Sequence, residues 1–210
     1  TYSAMASAQT GIHTVNHIDT SSGSGVAPKS GIFTMTVNPS SSYTVSVNKI
    51  GQGTVTSTSN PDQASQLNCG ATCTATFNQG TTVNLTAMSA SGYMFAGWSN
   101  GCSGTGNCIV SSSANPTATF IQQFTLTTSV IGQGNITGTG ISCGSGTLND
   151  CTEAYNANTP VTLTANAASG YVLGSWSGCD SVNGNVCTAN MNGNRNPIAT
   201  FNSFSPIDFS

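Results

Sequence analysis

A pattern of nine residues occurs twice in this chain, and each copy leads into a loop bracketed by cysteines. The first copy covers residues 91–99 and the second covers residues 169–177. Each begins with Ser-Gly-Tyr, continues as a mostly apolar run and ends with Trp-Ser, and together they contain both tryptophans of the sequence. A glycine followed by an aromatic residue and an alternating run is typical of a strand entered from a tight turn. The duplication therefore predicts two equivalent β-modules, each with its own core.

The aromatic residues of this pattern are the expected centre of each core. Tryptophan offers the largest apolar group available, so each one is expected to anchor its own module. The alternative is an aromatic platform that binds sugar, which would leave the same rings exposed. The predicted core residues are Tyr93, Trp98, Tyr171 and Trp176.

Further matched segments extend the repeat on both sides of this strand. A Gly-Gln-Gly sequence occurs at residues 51–53 and again at 132–134, between alternating runs, which predicts a hairpin turn in each copy. Each copy closes on Ala-Thr-Phe, at residues 118–120 and 199–201. Length differences between the copies fall in the loops and cancel, as expected if strands pack and loops lie on the surface. We expect six or seven short strands per module.

The combination of these segments resembles the divergent internalin-type B-repeat of bacterial surface and secreted proteins. The resemblance rests on the opening strand, the Gly-x-Gly turn, the cysteine loop, Val-x-Leu-Thr-Ala, Gly-Tyr-x-x-x-x-Trp and Ala-Thr-Phe. It implies a small β-rich module, related to the β-grasp fold, that is used in extracellular stalks and appendages and carries no active site. The expected fold is therefore all-β, with two tandem modules that are either β-grasp-related or Ig-like sandwiches.

The repeat divides the chain into four segments. Only Gln122 and Gln123 separate the two copies, so the modules are expected to stack closely. The first segment matches no pattern and reads as an extended arm with a possible donor strand. The segments are the arm (1–42), the first module (43–122), the second module (124–203) and a C-terminal tail (204–210).

The composition excludes several classes of function. Only 4% of the residues are charged, against roughly 25% in an average soluble domain. Three basic residues cannot neutralise a run of phosphates, so neither nucleic acid nor an anionic membrane surface is an expected partner. No apolar run approaches the roughly 18 residues of a membrane-spanning helix, so no membrane insertion is expected. A surface this poor in charge favours self-association.

The eight cysteines favour an oxidising compartment outside the cell or at its surface. The chain opens on Thr1 without a signal sequence, so we expect a processed product. Four cysteines per module allow three pairings, and pairing across each length-variable loop is favoured. A four-thiolate zinc site is the alternative, but the spacing fits it poorly. The expected disulfides are Cys69–Cys73, Cys102–Cys108, Cys143–Cys151 and Cys179–Cys187.

No group of residues in the sequence points to catalysis or to a cofactor. The only close pair of carboxylates, Asp150 and Glu153, has no counterpart in the first copy. His13 and His17 lie outside the repeats; with Asp19 they could bind a metal ion, but solvated histidines are the commoner case. We therefore expect no enzyme activity, no catalytic residue, no metal and no cofactor.

The arm and the tail carry apolar residues without an obvious place to bury them. Phe33, Met35 and Val37 alternate along one predicted strand, and their common face requires burial against a sheet. If this strand adds to the next subunit, the chain is a filament or pilus-like subunit whose partners are copies of itself. Alternatives are pairing within the chain, which gives a monomeric stalk, adhesion or glycan-binding module, and an accessory fragment of a secreted enzyme. The predicted subunit contacts are Ile32, Phe33, Met35, Val37, Phe204, Ile207 and Phe209.

Overall fold

A computed structural model describes residues 11–18, 30–37, 41–63, 66–70 and 73–204 of the chain. Every regular element in these ranges is a β-strand, which confirms the all-β prediction. None of the described segments forms a helix with the length and hydropathy that crossing a membrane requires. The segments between strands are rich in Gly, Ser, Thr and Asn and lack a helical apolar stripe, so the chain has no sequence that favours a helix there.

The strands number more than expected because each opening strand is divided and the loops add short strands of their own. The arm contains β1 (Gly11–Ile18) and β2 (Ser30–Val37). The first module contains β3 (Ser42–Ser46), β4 (Asn48–Ile50), β5 (Gly53–Asn60), β6 (Thr74–Asn78), β7 (Thr82–Ser89), β8 (Tyr93–Ser99) and β9 (Cys108–Val110), and β10 (Thr117–Thr127) belongs to both modules. The second contains β11 (Ser129–Ile131), β12 (Gly134–Gly138), β13 (Ile141–Gly144), β14 (Asn149–Asp150), β15 (Thr152–Asn156), β16 (Pro160–Ala167), β17 (Tyr171–Ser177), β18 (Ser181–Asn183), β19 (Val186–Asn190) and β20 (Ile198–Ser203).

The same three sheets occur in each module. The first is an antiparallel pair, β3 with β6 in one module and the second half of β10 with β15 in the other. The second is a mixed sheet, β4–β10–β8 or β11–β20–β17. The third is antiparallel, β5–β7–β9 or β12–β16–β19, and the second module extends it with β13, β14 and β18.

The inner faces of these sheets pack into one core per module. Val45, Val55 and Leu85 are fully buried in the first module, and Leu126, Ile136 and Leu163 are fully buried at the matching places of the second. Burying such a side chain contributes about 1.5–3 kcal/mol. No helix covers either sheet within the described residues, and the modules are β-sandwiches, the second of the two folds expected from the sequence.

The opening strand of each module changes partners at one buried residue. The backbone N–H of Val47 donates to the carbonyl oxygen of Cys73 (2.8 Å), and the N–H of Thr128 donates to Cys151 in the same way (2.8 Å). Before this residue the strand pairs antiparallel with β6 or β15, and after it the strand pairs in parallel with β10 or β20. The Gly-Gln-Gly turn then leads into a different sheet. The expected hairpin is therefore wrong, because β4 and β5 do not pair with each other.

Strand β10 passes from one module into the other without a break. Its first half pairs with β8 and its second half with β15. The N–H of Gln123 donates to Gly92 of the first module (2.8 Å), and the carbonyl of Gln122 accepts from Ala157 of the second (2.8 Å). The two glutamines that separate the copies in the sequence are therefore ordinary residues of a continuous strand.

The arm forms a two-stranded antiparallel ribbon. β1 and β2 pair in a continuous register from Gly11 opposite Val37 to Ile18 opposite Ser30, and the ribbon has no third strand within the described residues. The sequence indicated β2 but gave only a poor alternation for β1. His13 and His17 lie four residues apart on β1, or about 13 Å along an extended strand.

Candidate functional site

The eight cysteines form four disulfides, each within one of the expected pairs. The bridges join Cys69 to Cys73, Cys102 to Cys108, Cys143 to Cys151 and Cys179 to Cys187, over sequence separations of 4, 6, 8 and 8 residues. No cysteine is left free, so the zinc alternative has no thiolate ligands. In the chain-entropy model, loops of this length stabilise the fold by about 2–3 kcal/mol each.

The tryptophan of the first module lies inside its core. Trp98 is 5% exposed, and its ring meets Phe95 edge-on at a centroid distance of 5.4 Å. The loop between Cys102 and Cys108 folds over it: the indole N–H donates to the carbonyl of Gly106 (2.8 Å), and the backbone N–H donates to Gly104 (2.9 Å). The loop therefore both covers the ring and satisfies its one polar group.

The tryptophan of the second module is only half-buried. Its indole N–H donates to the carbonyl of Asn185 at a longer distance (3.3 Å). Here the cysteine loop forms a hairpin of β18 and β19 that pairs with β16, so it covers Trp176 less completely. Tyr93 and Tyr171 are also half-buried and pack against their cores. Of the four predicted core aromatics, Trp98 alone is buried, and the other three are partly buried.

The Gly-Gln-Gly motif lies against the phenylalanine of the closing strand. Gly51 has a φ of +80°, and a Cβ on it would lie 2.0 Å from the carbonyl oxygen of Phe120. Gly53 lies under the same ring, where a Cβ would be 2.5 Å away. Gly132 repeats this geometry with a φ of +85° and a distance of 2.1 Å to the oxygen of Phe201. The glycines are thus required where the opening and closing segments of each module meet.

The second module contains a cleft beside one of its disulfides. It has a volume of about 370 Å³ and is lined by Val130, the Cys143–Cys151 bridge and neighbouring backbone. At the place that matches Val130, the first module has Lys49, whose ammonium group donates to the carbonyls of Gly53 (2.7 Å) and Cys69 (3.4 Å). No titratable side chain lines the cleft, so it provides no group for acid–base chemistry.

The edges of the two mixed sheets differ in their exposure. The outer edge of β8 is bridged where Trp98 meets Gly104, whereas β17 pairs with β20 alone within the described residues. Two apolar residues near the start of β17 are exposed: Val172 of β17 itself is 48% exposed, and Phe204, directly after β20, is 50% exposed. The N–H of Phe204 donates to the carbonyl of Gly170 (3.0 Å), directly before β17 begins.

The predicted subunit contacts are divided between described and undescribed parts of the chain. Phe204 lies directly after β20, on the side of β17 that β20 occupies, and Ile207 and Phe209 lie outside the described residues. The four contacts predicted in the arm, Ile32, Phe33, Met35 and Val37, all belong to β2.

One ion pair occurs within the described residues. It joins the loop closed by Cys179 and Cys187 to the segment before β20. Asp180 accepts a hydrogen bond from the guanidinium of Arg195 and another from the backbone N–H of Asn190 (2.6 Å). The pKa of Asp180 lies below its usual value, chiefly because of the backbone hydrogen bond from Asn190 and secondly because of the Arg195 guanidinium. No cluster of metal ligands occurs in the described part of the chain.

The lowered pKa of Asp180 predicts acid sensitivity in the second module. A carboxylate whose pKa is lowered by folding stabilises the folded state at pH values above its unfolded pKa of about 4. This stabilisation is lost as the pH falls through the pKa of the folded state. Asp180→Asn should lower the denaturation midpoint at pH 7 and reduce its change between pH 7 and pH 3, measured by urea unfolding. Asp150→Asn is the control, because Asp150 has no ion-pair partner within the described residues. Identical pH profiles for wild type and Asp180→Asn would contradict this assignment.

Comparisons with known proteins place both modules in one family. The family model of the divergent InlB B-repeat domain matches residues 70–129 and residues 124–205. No curated protein matches the chain. The first match begins after β5, and the second covers the whole second module.

Two solved structures are similar at a low level. The Bacillus anthracis TIE protein is 10% identical with a TM-score of 0.32, over 92% of this chain and 41% of that one. Two B repeat units (B1B2) of the collagen binding protein (CNA) of Staphylococcus aureus are 12% identical with a TM-score of 0.27, over 91% of this chain and 56% of that one. The chain thus spans about half of the length of the two solved chains that it matches.

The two family matches together cover more than half of the chain and confirm the resemblance that the repeated motifs indicated. B-repeat domains are structural modules of the surface and adhesion type, and the family is not one of enzymes. The chain belongs to the divergent InlB B-repeat domain family.

Proposed function

We propose that this chain is a secreted structural protein, the subunit of an extracellular filament or pilus-like appendage assembled head-to-tail by β-strand exchange. The observation that carries the proposal is the ribbon of β1 and β2, which has no third strand within the described residues. A two-stranded ribbon is marginal in water and needs a further strand or a packed face. The edge of a neighbouring subunit can supply that strand.

The acceptor in this proposal is the outer edge of β17. It is seven residues long, and within the described part of the modules it is the longest strand with one paired edge and no bridge on the other. The ribbon offers strands of eight residues, a closely matched length. Val172, a residue of β17, provides exposed apolar surface at this edge, where Phe33, Met35 and Val37 of the neighbouring arm would be buried.

The geometry of such a contact favours an open polymer. The donor lies in the first segment of the chain and the acceptor in its second module, so each subunit would use two different surfaces. A contact between unlike surfaces that does not close into a ring continues as a filament. With a net charge of −3 over 210 residues, there is little repulsion between neighbouring subunits.

The chemistry of the modules supports a location outside the cell. Four disulfides in a chain of this size persist in oxidising surroundings, whereas the cytosol keeps thiols reduced. Surface and adhesion-type structural modules of this family work in the same setting. We therefore place the filament on the cell surface or in the extracellular medium.

Removing the arm is the direct test of this function. Deleting residues 1–37 should leave folded, disulfide-bonded monomers that no longer polymerise, because the donor strands are gone while both cores are intact. Electron microscopy and sedimentation measure the assembly, and thermal unfolding checks that the modules remain folded. Filaments of normal appearance from the truncated chain would contradict strand donation, and a full-length chain that stays monomeric at high concentration would contradict the filament itself.

The duplication provides a matched pair of variants for the acceptor edge. Val172→Lys places a charge beside the open edge of β17, and edge lysines block the addition of further strands. Met94→Lys makes the same change at the matching place of the first module, where the residue is 40% exposed. We expect the Val172 variant to stop elongation and the Met94 variant to form normal filaments. Equal effects of the two variants would contradict the choice of β17.

Only one of the two tryptophans is accessible enough for the glycan-binding alternative. A ring as deeply buried as Trp98 offers no face to a sugar, so only Trp176 and its neighbours remain for stacking. Quenching of Trp176 fluorescence by a glycan, together with a monomeric chain, would favour that alternative over the filament.

A further inference from the structure

The opening and closing segments of the first module lie side by side and run in the same direction. Asn48–Ile50 pairs in parallel with Thr117–Thr119. The N–H of Asn48 also donates to the carbonyl of Pro116 (2.9 Å). Earlier along the same strand, the N–H of Ser46 donates to Ala114 (3.0 Å). The parallel contact therefore continues on both sides of the buried residue where the opening strand changes partners.

The second module repeats this arrangement. Ser129–Ile131 pairs in parallel with Ile198–Thr200, and the N–H of Ser129 donates to the carbonyl of Pro197 (3.2 Å). Upstream, the N–H of Thr127 donates to Arg195 (2.9 Å), whose own N–H donates back to Thr125 (3.0 Å). Because β10 closes the first module and opens the second, both contacts lie on one uninterrupted path through the chain.

We propose that these parallel contacts make each module a load-bearing element that resists tension applied along the chain. When two parallel neighbours are pulled from opposite ends, the force is directed along the strands. All the evenly spaced hydrogen bonds between them are then loaded together, instead of opening one at a time. The proposal rests on the proposed filament only in that a filament or stalk supplies the tension.

The close approach of glycine and phenylalanine adds a steric stop to this contact. The carbonyl of Phe120 lies where a Cβ on Gly51 would be, and Phe201 occupies the same place against Gly132. A slip of the opening strand by one residue would bring the side chain of Ile50 or Gln52 against that carbonyl, where only glycine fits. Sliding is therefore opposed by sterics as well as by hydrogen bonds.

The disulfides lie beside the loaded path and do not bypass it. Each bridge closes a short loop inside its module, and none connects the opening segment to the closing segment. They do shorten the length released when a module unfolds. Reducing a bridge frees the residues between its cysteines, which extend by about 3.6 Å each, less the Cα–Cα distance that the bridge already spans. The length gained on unfolding should therefore increase by about 25 Å in the first module and by about 45 Å in the second, because the second module has longer bridged loops. The two unfolding events are thereby distinguishable.

Single-molecule pulling of the full chain through residues 1 and 210 tests the proposal. Ser129→Pro removes one N–H donor from the parallel contact at an exposed position, and we expect the rupture force of the second module to fall by about a third. Val161→Ala is the control, because Val161 is buried in the core but lies on β16 and takes no part in the hydrogen bonds between the parallel strands. Urea unfolding measures how far each variant lowers the free energy of unfolding, and the rupture forces of the two variants are compared after correction for that loss.

The comparison of the two variants can either support or overturn the proposal. A lower rupture force for Ser129→Pro than for an equally destabilised Val161→Ala supports the load-bearing contact, and equal forces overturn it. If Ser129→Pro does not fold, Asn48→Pro makes the same change in the first module. The pulling experiment uses single chains and needs no filament, so its failure and the failure of strand exchange are separate outcomes.

Discussion

Trp98→Ala will destabilise the first module by about 3–5 kcal/mol, the usual loss when a buried tryptophan is truncated. The ring is 5% exposed, packs on Phe95 and uses its N–H to hold the loop at Gly106. Its removal leaves a cavity and an unpaired carbonyl in the loop that covered it. A small module of ordinary stability is close to unfolding after such a loss.

Trp176→Ala is the matched comparison, and we expect it to cost about 1–2 kcal/mol, because less apolar surface leaves water at a half-buried site. Calorimetry of the two variants should show one module melting much earlier in the Trp98 variant and a smaller shift in the Trp176 variant. Trp98→Phe separates the packing of the ring from the hydrogen bond to Gly106. Equal shifts for the two alanine variants would show that the two cores are equivalent after all.

The difference between the tryptophans marks a limit of what the sequence predicts. The two strands share the same motif, and from the motif alone both rings belong in a core. What differs is the loop that follows. Glycines 104 and 106 allow the first loop to turn its carbonyls onto Trp98, with a φ of +75° at Gly104, whereas the second loop forms a paired hairpin. Loop conformation depends on tertiary contacts, which a strand pattern does not contain.

The strands and the bridges were predictable for a local reason. Alternation of apolar and polar residues over a few positions is enough to indicate a strand, and cysteines that bracket loops of variable length are enough to favour local pairing. The pairing between distant strands was not predictable in this way. Nothing near Asn48 in the sequence indicates that its N–H meets the carbonyl of Pro116. Strand β1 was likewise poorly indicated by its own alternation, although it pairs with β2 along its whole length.

The Gly-Gln-Gly motif was correctly identified as a special backbone feature, but it was assigned to the wrong structure. Glycines between alternating runs are typical of hairpins, so the sequence predicted one. In the structure the same glycines are required by the closing phenylalanine, which comes from the far end of the module. The residue type was informative about close backbone approach, but the approaching partner lies about 70 residues away along the chain. Parallel pairing of the two ends explains why the motif and the phenylalanine occur together in both copies.

This explanation predicts a large and specific effect of alanine at Gly51 and Gly132. Each has a positive φ and lies against a backbone carbonyl that cannot move without displacing the closing strand, so we expect a loss of at least about 3 kcal/mol in the affected module. Gly80 is the matched control: its φ is +84°, but no atom lies within 4 Å of a Cβ built there. Gly80→Ala should therefore cost only about 1 kcal/mol, from backbone strain alone. Urea unfolding measures all three variants, and in each the other module serves as an internal reference. If Gly51→Ala and Gly132→Ala cost no more than Gly80→Ala, the close approach of the opening and closing segments is not what the motif is for.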